Sequence, residues 1–233
     1  MLIHLLLDFD GTLVDSSPGI YRAFLRACEA IDIAPPAEPV LRRLIGPPIQ
    51  DIIVNIYPHL SPLDVEQFRL AFRHEYDLQS FRLADWYPGT HESLRALAAS
   101  KDICLTIVTN KPTRPTIELL EAAKLKSCFD SVIGIDYCAE FAAGGSVFST
   151  KAEAIAFALA STCFKADQRL YVGDTLGDQA AAATCGLTFI AAKYGFFDWP
   201  NHQAPLLNIG AFPQLITLLN ERFKPFVCPV RVM

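Results

Sequence analysis

The sequence predicts an α/β fold in which a doubly wound parallel sheet carries a small inserted α-helical domain. From about residue 87 to residue 190, short apolar strands alternate with amphipathic helices, a pattern typical of a parallel sheet covered by helices on both faces. Between residues 16 and 84, by contrast, only helical patterns occur, and prolines separate them. A chain of 233 residues is long enough for one such core and one insert.

The first predicted strand is the apolar run within residues 2–7, which has the length of a strand buried on both faces. It ends on Asp8 and Asp10, whose side chains point the same way because side chains alternate along an extended chain. Two carboxylates this close disfavour each other's ionisation unless a cation such as Mg²⁺ lies between them. Gly11 then allows a sharp turn. The alternative interpretation is an ordinary Asp-Gly turn with solvated acids.

The helical insert is predicted to begin soon after this turn. Ser16 and Ser17 are suitable N-caps, and Pro18 suits the first turn of a helix that ends near Ala30. Proline-containing breaks separate the helices that follow. These helices are predicted at about 40–45, 49–57 and 61–78.

The second half of the chain supplies the rest of the sheet. Strands are predicted at 103–108, 132–135, 169–172 and 187–190, and helices at about 94–98, 114–123, 150–163 and 178–185. The predicted domains are a Rossmann-like core at 1–15 and 85–225, a helical domain at 16–84 and a C-terminal tail at 226–233. In such sheets ligands bind beyond the carboxyl ends of the strands, so polar residues that directly follow a strand are the candidates for function.

Candidate phosphate-binding residues follow one predicted strand and open one predicted helix. Thr109 can donate to a phosphoryl oxygen, and Asn110 comes next, although an ordinary loop start is the alternative. Lys151 places a cation at a helix N-terminus, where it opposes the helix dipole and so indicates an anionic partner nearby. A solvated lysine is the alternative for this position. Three other lysines are less well placed: Lys124, Lys126 and Lys165.

A second pair of acids follows the strand at 169–172. Gly173 permits close backbone approach, Asp174 points into the predicted crevice, and Asp178 caps or enters the next helix. A helix cap alone explains Asp178 but leaves Asp174 unexplained. Together with the two acids after the first strand, these residues form a donor set that suits a hard cation such as Mg²⁺.

The composition argues against a nucleic-acid partner and against a membrane-spanning segment, and it indicates a reducing compartment. The formal net charge is −5, and no basic tract occurs that could neutralise a nucleic-acid backbone. No apolar run approaches the ~20 residues needed to cross a bilayer, and we expect no signal peptide because the apolar start lacks a basic leader. The seven cysteines are scattered, with no Cys-x-x-Cys pair. We therefore expect reduced thiols in a cytoplasmic protein, with neither zinc nor a disulfide framework.

In this order, the motifs resemble those of the haloacid dehalogenase-like hydrolases, most of which are phosphatases. The segment 8–16, Asp-Phe-Asp-Gly-Thr-Leu-Val-Asp-Ser, resembles the first motif of the family, and Thr109 resembles the second. Lys151 resembles the third, although an alanine follows it where the family commonly has proline. The segment 173–178 matches the fourth motif, Gly-Asp-x-x-x-Asp. The resemblance covers nearly the whole chain.

The resemblance implies a Mg²⁺-dependent phosphatase that acts on a small phosphorylated metabolite through an aspartyl-phosphate. Asp8 would be the nucleophile, and Asp10 would protonate the leaving group and later activate water. Phosphate binding is implied for Thr109, Asn110 and Lys151. Metal binding is implied for Asp8, Asp174 and the backbone carbonyl of Asp10, with Asp178 orienting a metal-bound water or Lys151.

The helical domain at 16–84 lies where the family places a cap that closes over the site. Its segment Gly46-Pro47-Pro48 resembles the Gly-Pro-Pro segment in caps of phosphoglycolate phosphatase-like members. The resemblance implies that this segment faces the substrate. A rigid connection between two helices is the alternative interpretation.

Three other functions are weighed against a phosphatase. A phosphosugar mutase of the same family would need a bisphosphate activator. A non-catalytic receiver of the phospho-signalling type groups similar residues around Mg²⁺ but is about half this length and has no cap. A degenerate family member that serves as an interaction protein would not need the complete set of acids. The sequence leaves the substrate and the oligomeric state open.

Overall fold

The computed structural model describes residues 1–137, 148–200 and 205–223. These residues form two compact units. The core unit consists of Met1–Val14 and the described part of Trp86–Met233, and the helical unit is Asp15–Asp85. The predicted tail at 226–233 lies outside the described residues, as do Cys138 and Cys228.

Most strands of the described residues belong to one parallel sheet. The strands are β1 (Ile3–Leu7), β2 (Val14–Asp15), β3 (Asp85–Trp86), β4 (Ile103–Thr109), β5 (Ser131–Gly134), β6 (Gln168–Gly173), β7 (Thr188–Ala192) and β8 (Asn208–Ile209). Six of them form the sheet in the order β5-β4-β1-β6-β7-β8, while β2 pairs with β3. Helices flank this sheet, which confirms the predicted α/β fold.

The helices divide between the two units. In the helical unit they are α1 (Ser17–Ala30), α2 (Glu38–Arg42), α3 (Ile49–Ile56) and α4 (Pro62–Leu78). In the core unit they are α5 (Thr90–Ala98), α6 (Thr113–Ala122), α7 (Lys151–Ser161), α8 (Leu176–Thr184) and α9 (Gln214–Arg222). Within the residues described, no helix combines the length and the apolar composition needed to span a membrane.

These elements overlap every strand and helix predicted from the sequence. The structure adds the short strands β2, β3 and β8, which have two residues each and so show no apolar run of strand length. It also adds α9, which the sequence interpretation overlooked although Leu215, Ile216 and Leu219 recur at helical spacing and are buried.

Strand β1 occupies the centre of the sheet and is buried along its whole length. Its neighbours β4 and β6 lie on opposite sides, and Leu7 is in register with both Ile107 and Val172. The carboxyl ends of the three strands are therefore nearly level. The chain leaves β1 for one side of the sheet and later crosses to the other, which creates a crevice at the end of β1.

The helical unit has an aromatic core of its own. Phe24 of α1 and Phe68 of α4 are both fully buried, and their rings meet edge to face at 4.7 Å. Helix α4 begins with a capping box, in which the Ser61 hydroxyl accepts from the Asp64 N–H and the Asp64 carboxylate accepts from the Ser61 N–H. Local capping and aromatic packing thus stabilise this unit internally.

One polar side chain is buried at the amino ends of the central strands. His4 of β1 is 1% exposed, and its Nε2 atom forms a 2.9 Å hydrogen bond with the hydroxyl of Thr106 on β4. Burial lowers the pKa of His4 to about 4, because a charged imidazolium would lose its hydration there. The carboxylate of Asp130 opposes this shift, but burial dominates.

We expect His4 to make the protein less stable in mild acid. Because the pKa is about 4 in the folded protein and 6.5 for a free histidine, the unfolded chain binds the additional proton between these values. The contribution of the neutral, buried His4 to the free energy of unfolding is complete above pH 6.5 and is lost as the pH falls towards 4. The pKa difference corresponds to about 3 kcal/mol. Urea unfolding across this range would measure it. His4→Gln, which is polar but does not titrate, should remove this component, and an unchanged pH profile in that variant would contradict the assignment.

Candidate active site

Asp8 follows β1 directly and is held in place by its backbone and its side chain. Its N–H donates to the carbonyl of Val172 at 2.9 Å, which extends the pairing of β1 with β6. One carboxylate oxygen accepts from the Phe9 N–H at 2.8 Å, and the other accepts from Lys151 Nζ at 2.8 Å. The hydroxyl of Thr109, at the end of β4, also hydrogen-bonds to this carboxylate. Asp8 is thus fixed at the bottom of the crevice.

Lys151 is the first residue of α7, and its ammonium is buried between two carboxylates. Its Nζ atom donates both to Asp8 and to Oδ1 of Asp178. The helix itself is capped by Thr150, whose hydroxyl accepts from the Glu153 N–H. Burial alone would lower the pKa of Lys151, but the carboxylates of Asp178 and Asp8 outweigh burial and raise it. The anionic partner that the sequence indicated for this lysine is therefore a pair of aspartates.

Asp178 lies in the first turn of α8 and performs two tasks. Its Oδ2 atom accepts from the N–H and the hydroxyl of Thr175, and the Thr175 hydroxyl accepts from the Asp178 N–H. This capping box begins the helix. The other oxygen, Oδ1, accepts from Lys151. Asp178 is thus both a helix cap and a direct partner of Lys151.

Asp174 follows β6 and is completely buried. Its Oδ2 atom accepts from the Phe196 N–H at 2.7 Å, and its Oδ1 atom accepts from the Thr12 hydroxyl at 3.5 Å. Gly11 lies directly against this carboxylate, because a Cβ atom at position 11 would collide with it. Gly11 also has a positive φ of 76°, so both the backbone and the space require glycine.

Three of these acids form a cluster that could hold a metal ion. Carboxylate oxygens of Asp8, Asp174 and Asp178 lie within 4.8 Å of one another, and all three residues are buried. Burial and the neighbouring carboxylate of Asp178 raise the pKa of Asp8 to about 7, although Lys151 opposes the shift. The same causes raise the pKa of Asp174. Three carboxylates beside one lysine leave an excess of negative charge, and oxygen donors of this kind fit Mg²⁺.

The carboxylate of Asp10 pairs with Lys111, a lysine outside the acidic cluster. Lys111 Nζ lies 3.2 Å and 3.4 Å from the two carboxylate oxygens of Asp10, and the lysine side chain is 1% exposed. The Lys111 N–H donates to the hydroxyl of Thr109 at 3.2 Å, which joins this pair to the end of β4. Sequence reasoning missed Lys111, because a lysine two residues after a strand usually extends into solvent. Its position in the row Thr109-Asn110-Lys111 was the available indication.

The other predicted site residues are placed as follows. Asn110 lies between Thr109 and Lys111, directly after β4. Gly46, Pro47 and Pro48 belong to the helical unit and connect α2 to α3, with Gly46 at a φ of 139°. The structure thus brings together Asp8, Thr109, Lys151, Asp174 and Asp178 around one crevice of the core unit.

The chain is similar to known proteins over most of its length. Residues 5–192 match the family described as haloacid dehalogenase-like hydrolase. The phosphoglycolate phosphatase of Vibrio cholerae is 30% identical over 211 residues, which cover 86% of this chain and 87% of the relative. The phosphoglycolate phosphatase of Rhodospirillum rubrum is 30% identical over 212 residues, which cover 88% of this chain and 83% of the relative.

Solved structures show the same fold. The crystal structure of a protein described as a predicted phosphatase, from Clostridium acetobutylicum, aligns with a TM-score of 0.81 at 24% sequence identity. The alignment covers 95% of this chain and 99% of the other. The architecture is therefore shared over nearly the whole length of both proteins.

Asp174→Asn is expected to stabilise the protein in the absence of metal. The substitution replaces one of three mutually repelling carboxylates with an uncharged amide of nearly the same shape. The free energy of unfolding in EDTA at slightly alkaline pH should therefore rise by about 1–3 kcal/mol. The gain should shrink as the pH falls, because Asp174 in the unaltered protein then takes up a proton in the folded state, which relieves the repulsion, while the same carboxyl is still ionised in the unfolded chain. Urea unfolding would measure both effects.

Asp136→Asn is the matched control. Its carboxylate accepts from the N–H and the hydroxyl of Thr113 at the start of α6 and does not belong to the acidic cluster. This variant should be unchanged or less stable. A loss of stability in Asp174→Asn under the same conditions would show that charge repulsion does not dominate the cluster.

Proposed function

The chain belongs to the haloacid dehalogenase-like hydrolase family and is a phosphatase, and from this premise we propose that it hydrolyses a small phosphate monoester with Mg²⁺ through an aspartyl-phosphate on Asp8. The observation that carries the proposal is the buried position of Asp8 at the end of the central strand, between Lys151 and the other acids of the cluster. The names of the relatives make phosphoglycolate, or a phosphorylated acid of similar size, the first substrate to test.

The acidic cluster supports the proposed metal. Asp8 and Asp174 would hold Mg²⁺ together with the backbone carbonyl of Asp10, while Asp178 stays bonded to Lys151 and Thr175. When bound, the ion would offset the repulsion between these carboxylates and a phosphate dianion and stabilise charge on the phosphoryl oxygens. The cluster suits Mg²⁺ because the described residues supply both oxygen donors and an excess of negative charge.

In the proposed first step, a carboxylate oxygen of Asp8 bonds to phosphorus while the bond from phosphorus to the ester oxygen breaks. Lys151 and Thr109, which both contact Asp8, are positioned to donate to phosphoryl oxygens of a substrate at this carboxylate. The products of the step are an aspartyl-phosphate and an alkoxide. Water then attacks phosphorus, which releases inorganic phosphate and restores Asp8.

Asp10 is the proposed proton carrier of both steps. It gives a proton to the departing alkoxide and later accepts one from the attacking water, so its protonation state is restored after each turnover. Lys111 fixes the carboxylate of Asp10 through contacts to both of its oxygens.

We include in the proposal that the helical unit is the cap, that Gly46, Pro47 and Pro48 face the substrate, and that the protein is cytoplasmic.

Asp8→Asn should abolish phosphate release, because an amide cannot act as the nucleophile. The measurement is release of inorganic phosphate from a panel of phosphomonoesters that includes phosphoglycolate, with Mg²⁺ and with EDTA. Thermal unfolding would confirm that the variant is folded. Turnover in Asp8→Asn equal to that of the unaltered protein would overturn the assignment of the nucleophile, and unchanged turnover in EDTA would overturn the metal requirement.

Asp10→Asn should slow the reaction according to how much the leaving group needs a proton. For an alkyl phosphate such as phosphoglycolate, kcat/KM should fall by about 10²- to 10⁴-fold, the usual contribution of general acid catalysis. For p-nitrophenyl phosphate, kcat/KM should change much less, because p-nitrophenolate leaves without protonation. An equal loss with both substrates would contradict the proposed role of Asp10. Steady-state kinetics with the two substrates would distinguish these outcomes.

A further inference from the structure

The loop that follows β7 contacts the cluster although it contributes no acid to it. We call Tyr194–Phe196 the β7 loop. The Phe196 N–H donates to Oδ2 of Asp174 at 2.7 Å. The Thr12 hydroxyl donates to the other oxygen of this carboxylate, so among the described residues each oxygen accepts from one donor and retains further acceptor capacity. The β7 loop therefore fixes the orientation of Asp174 without blocking it as a ligand.

Gly195 brings the backbone of the β7 loop against two parts of the site at once. A Cβ atom at position 195 would collide with the side chain of Asp174 and with the carbonyl oxygen of Gly11. Any larger residue would have to displace the carboxylate or the turn after β1. The glycine is thus required by space on the side that faces the cluster.

Tyr194 attaches the β7 loop to the turn after β1. Its hydroxyl donates to the carbonyl of Thr12 at 2.7 Å, and its ring meets that of Tyr87 edge to face at 4.8 Å. Burial raises the pKa of Tyr194, so the phenol remains a donor at neutral pH. Thr12 in turn donates to Asp174, which closes a ring of contacts between the loop, the turn and the carboxylate.

The β7 loop is also held in shape by its own backbone. The Gly195 N–H donates to the carbonyl of Ala192 at 3.2 Å, and the Lys193 N–H donates to the carbonyl of Ile209 in β8 at 2.9 Å. A loop tied to two strands of the sheet can hold a neighbouring side chain in one position.

From these contacts we propose that the β7 loop is a positioning element that sets the affinity of the site for Mg²⁺. The inference rests on the proposed function, which assigns Asp174 as a ligand. Mg²⁺ requires near-ideal octahedral geometry, so the orientation of each carboxylate matters. Groups that orient metal ligands typically change metal affinity by about 10- to 100-fold when they are altered.

Gly195→Ala and Tyr194→Phe test the inference by Mg²⁺ binding, measured by isothermal titration calorimetry on the full chain. Gly195→Ala should raise the Kd for Mg²⁺ by about 10- to 100-fold, and Tyr194→Phe should raise it by about 10-fold. At saturating Mg²⁺, kcat should recover to within a few-fold, because neither residue touches Asp8 or Asp10 in the proposed reaction. A merely structural loss would instead lower kcat at every Mg²⁺ concentration.

Two variants serve as matched controls. Gly210→Ala introduces a Cβ atom that meets nothing closer than the Gln214 side chain at 3.5 Å. Tyr57→Phe removes a hydroxyl that also donates to a backbone carbonyl, that of Ala34 at 2.6 Å in the helical unit. Both controls should bind Mg²⁺ with the Kd of the unaltered protein.

The outcomes separate the inference from the proposed function. If the unaltered protein does not bind Mg²⁺, the proposed metal is wrong and the inference fails with it. If the unaltered protein binds Mg²⁺ and both loop variants bind it equally well, the inference alone is overturned. Circular dichroism in EDTA would show whether Gly195→Ala folds. If it does not, Tyr194→Phe decides the question, since it removes one hydroxyl and keeps the ring.

Discussion

The interaction on which the site depends is the buried ion pair of Lys151 with Asp8 and Asp178. A single ammonium lies between two carboxylates, and Asp174 adds a third within 4.8 Å. Burial is the main cause that raises the pKa of Asp8 and of Asp174, and the excess of negative charge adds to it. The cluster therefore opposes folding electrostatically and persists because the surrounding sheet is stable. The same excess charge makes the crevice attractive to a divalent cation, so the cost to stability and the proposed function have one physical origin.

The topology of the sheet explains why these groups meet. Strand β1 lies between β4 and β6, and the ends of all three strands are nearly level. A polar residue stands at the end of each apolar run: Thr109 is the last residue of β4, and Asp8 and Asp174 directly follow β1 and β6. Helices α7 and α8 then begin beside the crevice, and their first turns supply Lys151 and Asp178. Strand ends and helix starts thus provide a rigid frame for every group of the cluster.

The sequence was sufficient to predict the fold and the residues that follow the strands, because both depend on local patterns. Apolar runs marked β1, β4 and β6, and a polar residue at the end of each run is visible without any tertiary contact. The pair of Lys111 with Asp10 could not be predicted in this way, because it joins residues 101 positions apart and a solvated lysine would have the same sequence pattern. The contacts of Tyr194–Phe196 were missed for the same reason. Strand β8 has only two residues, which is too short for a periodic pattern.

The central place of β1 has a consequence for how the protein is made. The partners of this amino-terminal strand begin about one hundred residues later in β4 and still later in β6. During synthesis, β1 has no strand partner until β4 and β6 have left the ribosome. Helices α1 to α4 are complete earlier and can associate with one another first. Closing such long loops slows folding, and an apolar strand without neighbours is open to aggregation meanwhile. The position of β1 in the middle of the sheet therefore lengthens the time during synthesis in which an apolar strand stays exposed.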